Sequence, residues 1–600
     1  MKLKIAFYNE KISWNKDWVF LGSSFMKLQS VEKKIIGQRI KINKFLHEIF
    51  NNELQNYLEW TEKQRVFCND SVYWWMTELS GRNNLSSDFF LYICQIKSLI
   101  KILSRIKEKE LLIVSDDILL IQAIIKNLEG TEIKKSKWLA LKISNNLLNH
   151  YYQFLRNWTI SILDAIICFV SARITLKKRK FPKGNIYLIH QFAGIDSLRN
   201  NKNLKSIYFP YLKDYFLKEK IDFFYLTWSN IFWSGKIKAL KKLREDKCFI
   251  PEDWINIYDY FVSIRNFLKV KSCFNIKSSY PGLDLKYLIL REKRIYLERL
   301  TSSLRFWIYL PAIKKWAQNC DSLTCIDHYE NMIFEHALIA ATRQLNIKTK
   351  IYGYHHTLSS KEFTAWHSLE TEWSSKFKPD FVISLGPISS KFLRDQGVPN
   401  NKIVEGPALR YNDILIKEQN ITKKNENNIL IPLSQIKDSS YEVISNIKIL
   451  SKELQDTGYN FIIKPHPNIE ISKILTPTAL EKLPKNIIIS YDHIDKLLNN
   501  CLFVITMSTG GAYNAVINGN IVFNLKSELN FADNYLDFFE KEFKFVNSNS
   551  IISIKNILIE LAENNKEMKE YFIEFERLRK YLISGMNVIS DVNLAKFKLN

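Results

Sequence analysis

Along most of the 600 residues, short apolar runs alternate with longer amphipathic stretches. A run of β-branched and aromatic residues followed by a polar turn reads as a buried strand, and apolar positions recurring at three- and four-residue spacing read as a helix. A first strand is expected at 4–8 and another at 110–114, ending in Ser115-Asp116-Asp117 and leading into a helical pattern over 118–128. From 182 onward, strands are expected at 185–190, 222–227, 323–327, 350–354 and 380–385, with helices such as 332–345 between them. A polar stretch at 417–428, with three Lys, two Glu and four Asn, separates a last series at 428–432, 460–464, 486–490, 502–506 and 521–525, and a long helical pattern over 552–582 closes the chain. Strand-then-helix alternation implies parallel sheets. The expected fold class is therefore α/β, with two facing Rossmann-type domains at 182–425 and 426–600 and an additional α/β region at 1–150.

One stretch breaks the alternation. Residues 158–176 are strongly apolar but interrupted by Asp164 and Arg173, and Lys177-Lys178-Arg179-Lys180 follows. Two charges in so short a run argue against a bilayer span. Residues 151–181 are expected instead to form a helix lying at a membrane surface with its basic end on anionic lipid; the competing reading is a core helix with a solvated basic end.

Composition narrows the class. Hydrophobic content of 46% and charged content of 25% belong to a folded, water-facing protein. The net charge of +24, from 86 Lys plus Arg against 62 Asp plus Glu, raises nucleic acid or anionic membrane as partners. The excess is scattered and no nucleic-acid module is recognisable, so no nucleic-acid partner is expected. Eight dispersed cysteines, without a C-x-x-C pair, fit reduced thiols in a cytosol. The first ten residues read as a strand rather than a signal peptide. The location expected is cytoplasmic, with a peripheral contact on the inner membrane.

Candidate chemistry gathers at strand ends, where open α/β sheets bind their ligands. The run 460–464 ends in Lys464-Pro465-His466-Pro467, which fixes a cation and an imidazole on a stiff loop. The run 502–506 ends in Met507-Ser508-Thr509-Gly510-Gly511. If Gly511 opens a helix over 512–517, Ser508, Thr509 and the amides of Gly510 and Gly511 would accept a phosphate, and His466 would donate to its departing oxygen. In the upstream domain, Asp327 and Glu330 follow the run 323–327, and either would serve as a base toward an acceptor hydroxyl. Alternatively, Asp327 caps the next helix and Glu330 sits in its first turn. His355 and His356 follow another strand and are candidates for substrate contact. No metal is expected, because no Asp-x-Asp turn follows an apolar strand to hold a divalent ion on a nucleotide diphosphate.

The Lys464–Pro467 and Ser508-Thr509 turns resemble the HP and Ser-Ser/Ser-Thr motifs of GT-B glycosyltransferases that build bacterial surface polysaccharide, such as the polysialyltransferases and the Kdo transferases that use CMP-sugars. CDP-glycerol polyol-phosphate transferases carry similar turns. More broadly the chain is similar to the large surface carbohydrate biosynthesis proteins of O-antigen and capsule gene clusters, through Tyr73-Trp74-Trp75, Ser115-Asp116-Asp117, His328-Tyr329-Glu330-Asn331 before a helix with Glu335 and Ala337, and Gly353-Tyr354-His355-His356-Thr357. The resemblance implies a GT-B fold and metal-independent transfer, from a CMP-linked nucleotide-sugar donor, of a sugar such as a nonulosonic acid or Kdo to a glycan or lipid-linked glycan acceptor. No cofactor is implied beyond the donor. By the same resemblance Lys464, His466, Ser508 and Thr509 bind the nucleotide phosphate and an upstream carboxylate is the base. One position departs from the pattern: Asn514 stands where many such enzymes hold the ribose with an acid. The alternatives are a CDP-polyol phosphotransferase and a non-catalytic glycan-binding scaffold.

Overall fold

The apolar runs form three sheets in which every ladder is parallel. The structure, a computed structural model, describes residues 2–106, 110–176, 181–192, 206–228, 235–416, 424–531, 533–563 and 565–598. The N-terminal sheet contains β1 (Lys2–Phe7), β2 (Trp18–Leu21), β3 (Glu110–Ser115) and β4 (Glu132–Lys135), in the order β2-β3-β1-β4.

The middle sheet contains β5 (Gly184–Phe192), β6 (Phe223–Trp228) and β7 (Cys248–Phe249). After a small antiparallel hairpin, β8 (Ser279–Tyr280) and β9 (Leu283–Asp284), it continues with β10 (Cys320–Asp327), β11 (Lys348–Tyr354), β12 (Phe381–Ser384) and β13 (Ile403–Glu405). Its order is β13-β12-β11-β10-β5-β6-β7. The third sheet contains β14 (Asn425–Pro432), β15 (Asn460–Lys464), β16 (Ile487–Ile489), β17 (Cys501–Thr506), β18 (Ile521–Leu525) and β19 (Ser548–Asn549), in the order β16-β15-β14-β17-β18-β19. The α/β, GT-B-like pair of Rossmann-type domains expected from the sequence is the arrangement the chain adopts.

Strand order places the ligand crevices. In the middle sheet the chain moves outward one way through β5, β6 and β7 and the other way through β10 to β13, so its order reverses between β5 and β10. In the third sheet it reverses between β14 and β17. Crevices in doubly wound sheets open at the carboxyl ends of the strands at such a reversal. These ends carry His190 and Asp327 on one sheet, and Pro432 and the Ser508 turn on the other.

Both faces of the middle sheet are covered, which is why its strands read as continuous apolar runs. Along β10, Leu323 and Cys325 belong to one core and Ile326 to the other, the alternation a strand requires. The first core is shared with the N-terminal region, including Trp18, Trp74, Trp75 and the helix Phe89–Arg105. Residues 1–150 are thus packed as one layer of the middle domain, and a buried ion triad joins them. Glu372 lies 3.0 Å from Arg82 Nη2 and 2.6 Å from Lys378 Nζ, all three nearly sealed from solvent. Burial alone would raise the Glu372 carboxyl, but the two cations hold it down to about 2.

Two expectations about helices change. The segment 151–181 is not separate: a single helix, Lys137–Thr175, runs through it, about 58 Å long at 1.5 Å per residue. The basic run Lys177–Lys180 lies outside the described residues. The closing pattern over 552–582 is two helices, Ile551–Glu563 and Asn565–Ser584, after which the chain crosses back to the middle domain. There Asn587 N donates to Leu385 O and Ala408 N to Asn587 O, at 2.8 Å each. The crossing backbone leaves no room for a side chain at Gly386, where φ is +129° and a Cβ would lie 2.8 Å from Asn587 N.

Candidate active site

On the middle side the site is built by the turn that ends β10. Gly353 on β11 admits it: a Cβ there would sit 2.7 Å from Tyr329 Cβ. Asn331 takes a left-handed conformation with φ of 59°, and the Glu335 carboxylate accepts the amides of Glu330 and Met332 at 2.8–2.9 Å. Asn331 Nδ2 donates to Gly81 O at 3.0 Å, and Lys378 Nζ donates to Asn331 Oδ1 at 3.0 Å and to Tyr329 OH at 3.2 Å. The N-terminal layer and the Glu372 triad therefore brace this turn. His336, the residue after Glu335, reaches the Trp75 carbonyl with Nδ1 at 2.7 Å, which gives Tyr73-Trp74-Trp75 its structural role.

The two candidate carboxylates end in different places. Asp327 is buried, with Oδ1 3.0 Å from His190 Nδ1, and its other oxygen and His190 Nε2 have no partner among the described residues. That burial corrects its expected role as a base open to the acceptor. Glu330 stays partly open to solvent, and His356 Nε2 donates to its Oε1 at 2.9 Å. Arg410 Nη1 donates to His356 Nδ1 at 3.2 Å, so His356 is neutral with its proton on Nε2. Burial presses the Glu330 carboxyl upward, but the bond from His356 and the positive groups nearby more than offset this and hold it below its ordinary range. Burial also holds His356 below its ordinary pKa. Glu330 is therefore ionised and, held by a neutral donor, able to accept a proton.

His355 points the other way. Its Nδ1 meets Ser389 Oγ at 2.7 Å and its ring lies against Trp366 and Phe392, fully buried, so it is a core group and not the substrate contact expected of it. Only His356 of the pair reaches the site. Tyr208 stacks on His328 at 4.4 Å and lies 4.5 Å from His356, forming one wall.

Ligand atoms of His190, Asp327 and His328 lie within 4.8 Å of one another. However, His190 Nδ1 is engaged with Asp327, and His328 Nδ1 with the His190 carbonyl at 3.2 Å. As arranged, the cluster is a hydrogen-bonded support for the β5–β10 crevice in which His190 Nε2 and Asp327 Oδ2 stay without a partner among the described residues.

The third domain supplies the opposite wall. Ser508 adopts a left-handed conformation, φ 52°, and its amide donates to Asp533 O at 2.7 Å. Thr509 Oγ1 accepts the Gly511 amide at 3.3 Å and keeps its own proton free to donate. The helix opens at Gly511, as the sequence predicts, and runs to Ile517. A methyl built on Gly510 would lie 3.7 Å from Thr357 Oγ1, so this turn meets the middle domain beside His356. Thr357 Oγ1 and Tyr411 OH are 2.8 Å apart. Two strands along the edge, about 10 Å away by strand spacing, Lys464 and His466 stand on β15 and its loop. The Asn468 amide donates to His466 Nδ1 at 3.2 Å, leaving the Nε2 proton as a donor. Burial and the Lys464 charge hold His466 below its ordinary pKa. Among the described residues, Lys464 Nζ reaches the Tyr491 carbonyl alone, at 3.4 Å.

A cavity of about 160 Å³ adjoins this turn where all three units meet, with Ser508, Tyr535, Arg82, Asn84, Phe363 and Asp438 among its walls. It is smaller than the roughly 300 Å³ and more of sites that take a whole ligand. Glu330 and His466 are not in its walls. Sequence reasoning missed Arg410, Tyr411, Tyr208 and Tyr535. The first two follow Gly406-Pro407 after β13, a strand-plus-turn signal like those at Lys464 and Ser508.

No family model matches the chain, and no curated protein sequence matches it. Among solved structures, a UDP-GlcNAc 2-epimerase from Neisseria meningitidis bound to UDP-GlcNAc superposes with a TM-score of 0.35 at 12% identity, over 69% of this chain and 98% of that one. TarM superposes at 0.36 and 14%, over 69% and 97%. CalG4, the calicheamicin glycosyltransferase, superposes at 0.33 and 12%, over 69% and 96%. At these scores the likeness says nothing of activity, and the two-domain architecture stands on the strand orders themselves.

Proposed function

We propose that the chain is a metal-independent glycosyltransferase of bacterial surface-polysaccharide biosynthesis. In this reading it moves a sugar such as a nonulosonic acid or Kdo from a CMP-linked donor to a glycan or lipid-linked glycan presented at the inner membrane face. The observation that carries the transfer chemistry is the pairing across one cleft of an ionised, His356-held Glu330 with the Ser508–Gly511 turn. Glu330 takes the proton of an acceptor hydroxyl as that oxygen attacks the anomeric carbon. The bond to the nucleotide phosphate breaks, and its charge is met by His466 Nε2–H, the Ser508 and Thr509 hydroxyls and the Lys464 ammonium. A one-step displacement of this kind inverts the anomeric centre. Asp327 supports the crevice floor through His190 and takes no proton from the acceptor.

The test is product formation from CMP-linked donors by the wild type and by Glu330→Gln and His466→Ala. Loss in both variants supports the assignment; undiminished turnover in both sinks it. Analysis of the product separates sugar transfer from phosphoryl transfer out of a CDP-alcohol.

A further inference from the structure

The helix Lys137–Thr175 is amphipathic in the inverse sense. Its inward side carries small and polar residues, including Ser161, Asp164, Ser171, Ala172 and Thr175, all buried. Its outward side carries Tyr152, Leu155, Ile162, Ile166, Val170 and Ile174, spaced to share one face and all exposed, Ile174 to 64%. The two charges that interrupt the apolar run in sequence both turn inward. Asp164 binds Lys236 Nζ at 2.5 Å and Arg305 Nη2 at 2.7 Å, and Arg173 donates to the carbonyls of Asp253 and Ile255 at 3.2 and 2.6 Å. A soluble surface helix places these residue types the other way round.

A second helix extends the face. Ile257–Lys269 packs beside it through Tyr260, whose ring lies 6.0 Å from Phe169 and whose hydroxyl donates to Ala165 O at 3.4 Å. Ile257, Tyr258 and Phe261 on this helix are exposed. The rim is cationic. Asp164 is the sole acid between 137 and 175, and it is buried and paired. The adjoining helix Lys236–Glu245 exposes Lys238 and Lys241. In sequence Lys177-Lys178-Arg179-Lys180 follows the long helix directly.

We infer that the outer face of Lys137–Thr175, together with Ile257, Tyr258 and Phe261, docks on an anionic phospholipid bilayer. Apolar side chains enter the headgroup boundary while the lysines at the rim meet lipid phosphate. Because the inner face is packed on the protein through the Asp164 ion pairs, the helix lies along the bilayer and does not cross it. Vesicle binding is measured without donor or acceptor, so its failure leaves the transfer chemistry standing and removes only the membrane side of the proposed function. Loss of transfer, in turn, leaves the docking face standing.

The experiment is flotation of the full chain with vesicles of phosphatidylglycerol in phosphatidylcholine, and with phosphatidylcholine alone. The wild type is expected to float with the anionic vesicles. Ile166→Asp/Val170→Asp is expected to weaken partitioning at least about tenfold at an unchanged melting temperature. Lys238→Gln/Lys241→Gln is expected to weaken it about fivefold or more on anionic vesicles and not on neutral ones. If the Asp variant fails to fold, Ile257→Ser/Tyr258→Ser/Phe261→Ser carries the same test from the second helix. Absence of wild-type binding, or binding unchanged in the outer-face variants, overturns the inference. So does a solution dimer that the Asp variant turns into a monomer, which would assign the face to a second copy of the chain.

Discussion

The two walls of the cleft are built on opposite plans. On the middle side the titratable groups are tied to one another, and Asp327, His356 and Glu372 are buried: Glu330 to His356, His356 to Arg410, Asp327 to His190, and Glu372 to Arg82 and Lys378. On the third-domain side the groups aimed at a ligand are half-exposed and loosely held, His466 by one amide and Lys464 by one long contact to a carbonyl. A base must stand in one position and one charge state before the substrate arrives, which a dry hydrogen-bonded turn provides. Ligands for a phosphate gain by keeping their donors free, since the bound anion completes their hydrogen bonding. Damage to the first wall should therefore fall on turnover and folding, and damage to the second on donor use alone.

The largest effect expected is from Glu330→Gln. The amide can still accept from His356 Nε2, so the geometry survives while the basicity is lost, and kcat should fall about 10²- to 10⁴-fold with little change in donor KM. In the wild type, Glu330 is held below the ordinary carboxylate range, so activity should persist as pH falls through about 4.3 and decline only below it. An acid limb above that range would show that the base is another group. Rates measured on both proteins between neutral and acid pH check the two statements together.

Next comes the brace behind that turn. Glu372→Gln leaves Arg82 and Lys378 buried without their counter-charge, which should cost about 3–5 kcal/mol of stability. The sign with pH follows from the depressed carboxyl. Its contribution is complete above the unfolded value near 4.3 and is lost as pH falls toward about 2. Denaturant melts of wild type and variant should thus differ widely at neutral pH and converge in acid. Equal melts at neutral pH would mean that the N-terminal layer is not fastened to the Glu330 turn through this triad.

On the other wall, His466→Ala removes one donor to a charged oxygen, worth about 1.5–3 kcal/mol, so kcat/KM for the donor should drop about 10- to 150-fold. The melting temperature should not move, since the imidazole's protein bond among the described residues is the single one from Asn468. A destabilised His466→Ala protein would erase the contrast between the walls.

This contrast also explains what the sequence shows and what it hides. The strand-end turns at Lys464–Pro467 and Ser508–Gly511 are local, each a run of a few residues after an apolar strand, and both fall where periodicity puts them. The middle wall is non-local. Glu330, His356 and Arg410 come from the ends of three strands, β10, β11 and β13, and nothing in the spacing of Asp327 and Glu330 says which turns inward. That choice is made by Gly353, which lets the Tyr329 turn fold over β11, and by the N-terminal layer bonding to Asn331. Adjacent His355 and His356 lie just past the end of β11 at Tyr354, where strand alternation no longer assigns sides, and their directions come from distant partners, Ser389 for one and Glu330 for the other. The long helix is a further case. Its apolar run is plain in sequence, whereas its inversion rests on Lys236, Arg305 and two carbonyls contributed by distant segments.

The smallest effect expected is the most informative about charge on the open wall. Lys464 is partly exposed and anchored by one 3.4 Å contact, so in high dielectric its attraction to a phosphate is worth about 0.2–1 kcal/mol, and Lys464→Met should raise donor KM about 1.4- to 5-fold at low salt. Added salt should shrink the difference, since the Debye length falls from about 10 Å at 0.1 M to about 3 Å at 1 M. A second consequence has the opposite sign. Burial first and the Lys464 charge second hold His466 below its ordinary pKa, so removing the charge lets the imidazole rise part of the way back and take a proton more readily as pH falls. A protonated His466 binds phosphate more strongly than a neutral one. The penalty of Lys464→Met should therefore narrow as pH falls, as donor KM measured at neutral and at acid pH will show. A penalty that widens as pH falls would mean that His466 does not face the donor phosphate, and the open wall would then have to be assigned to another ligand.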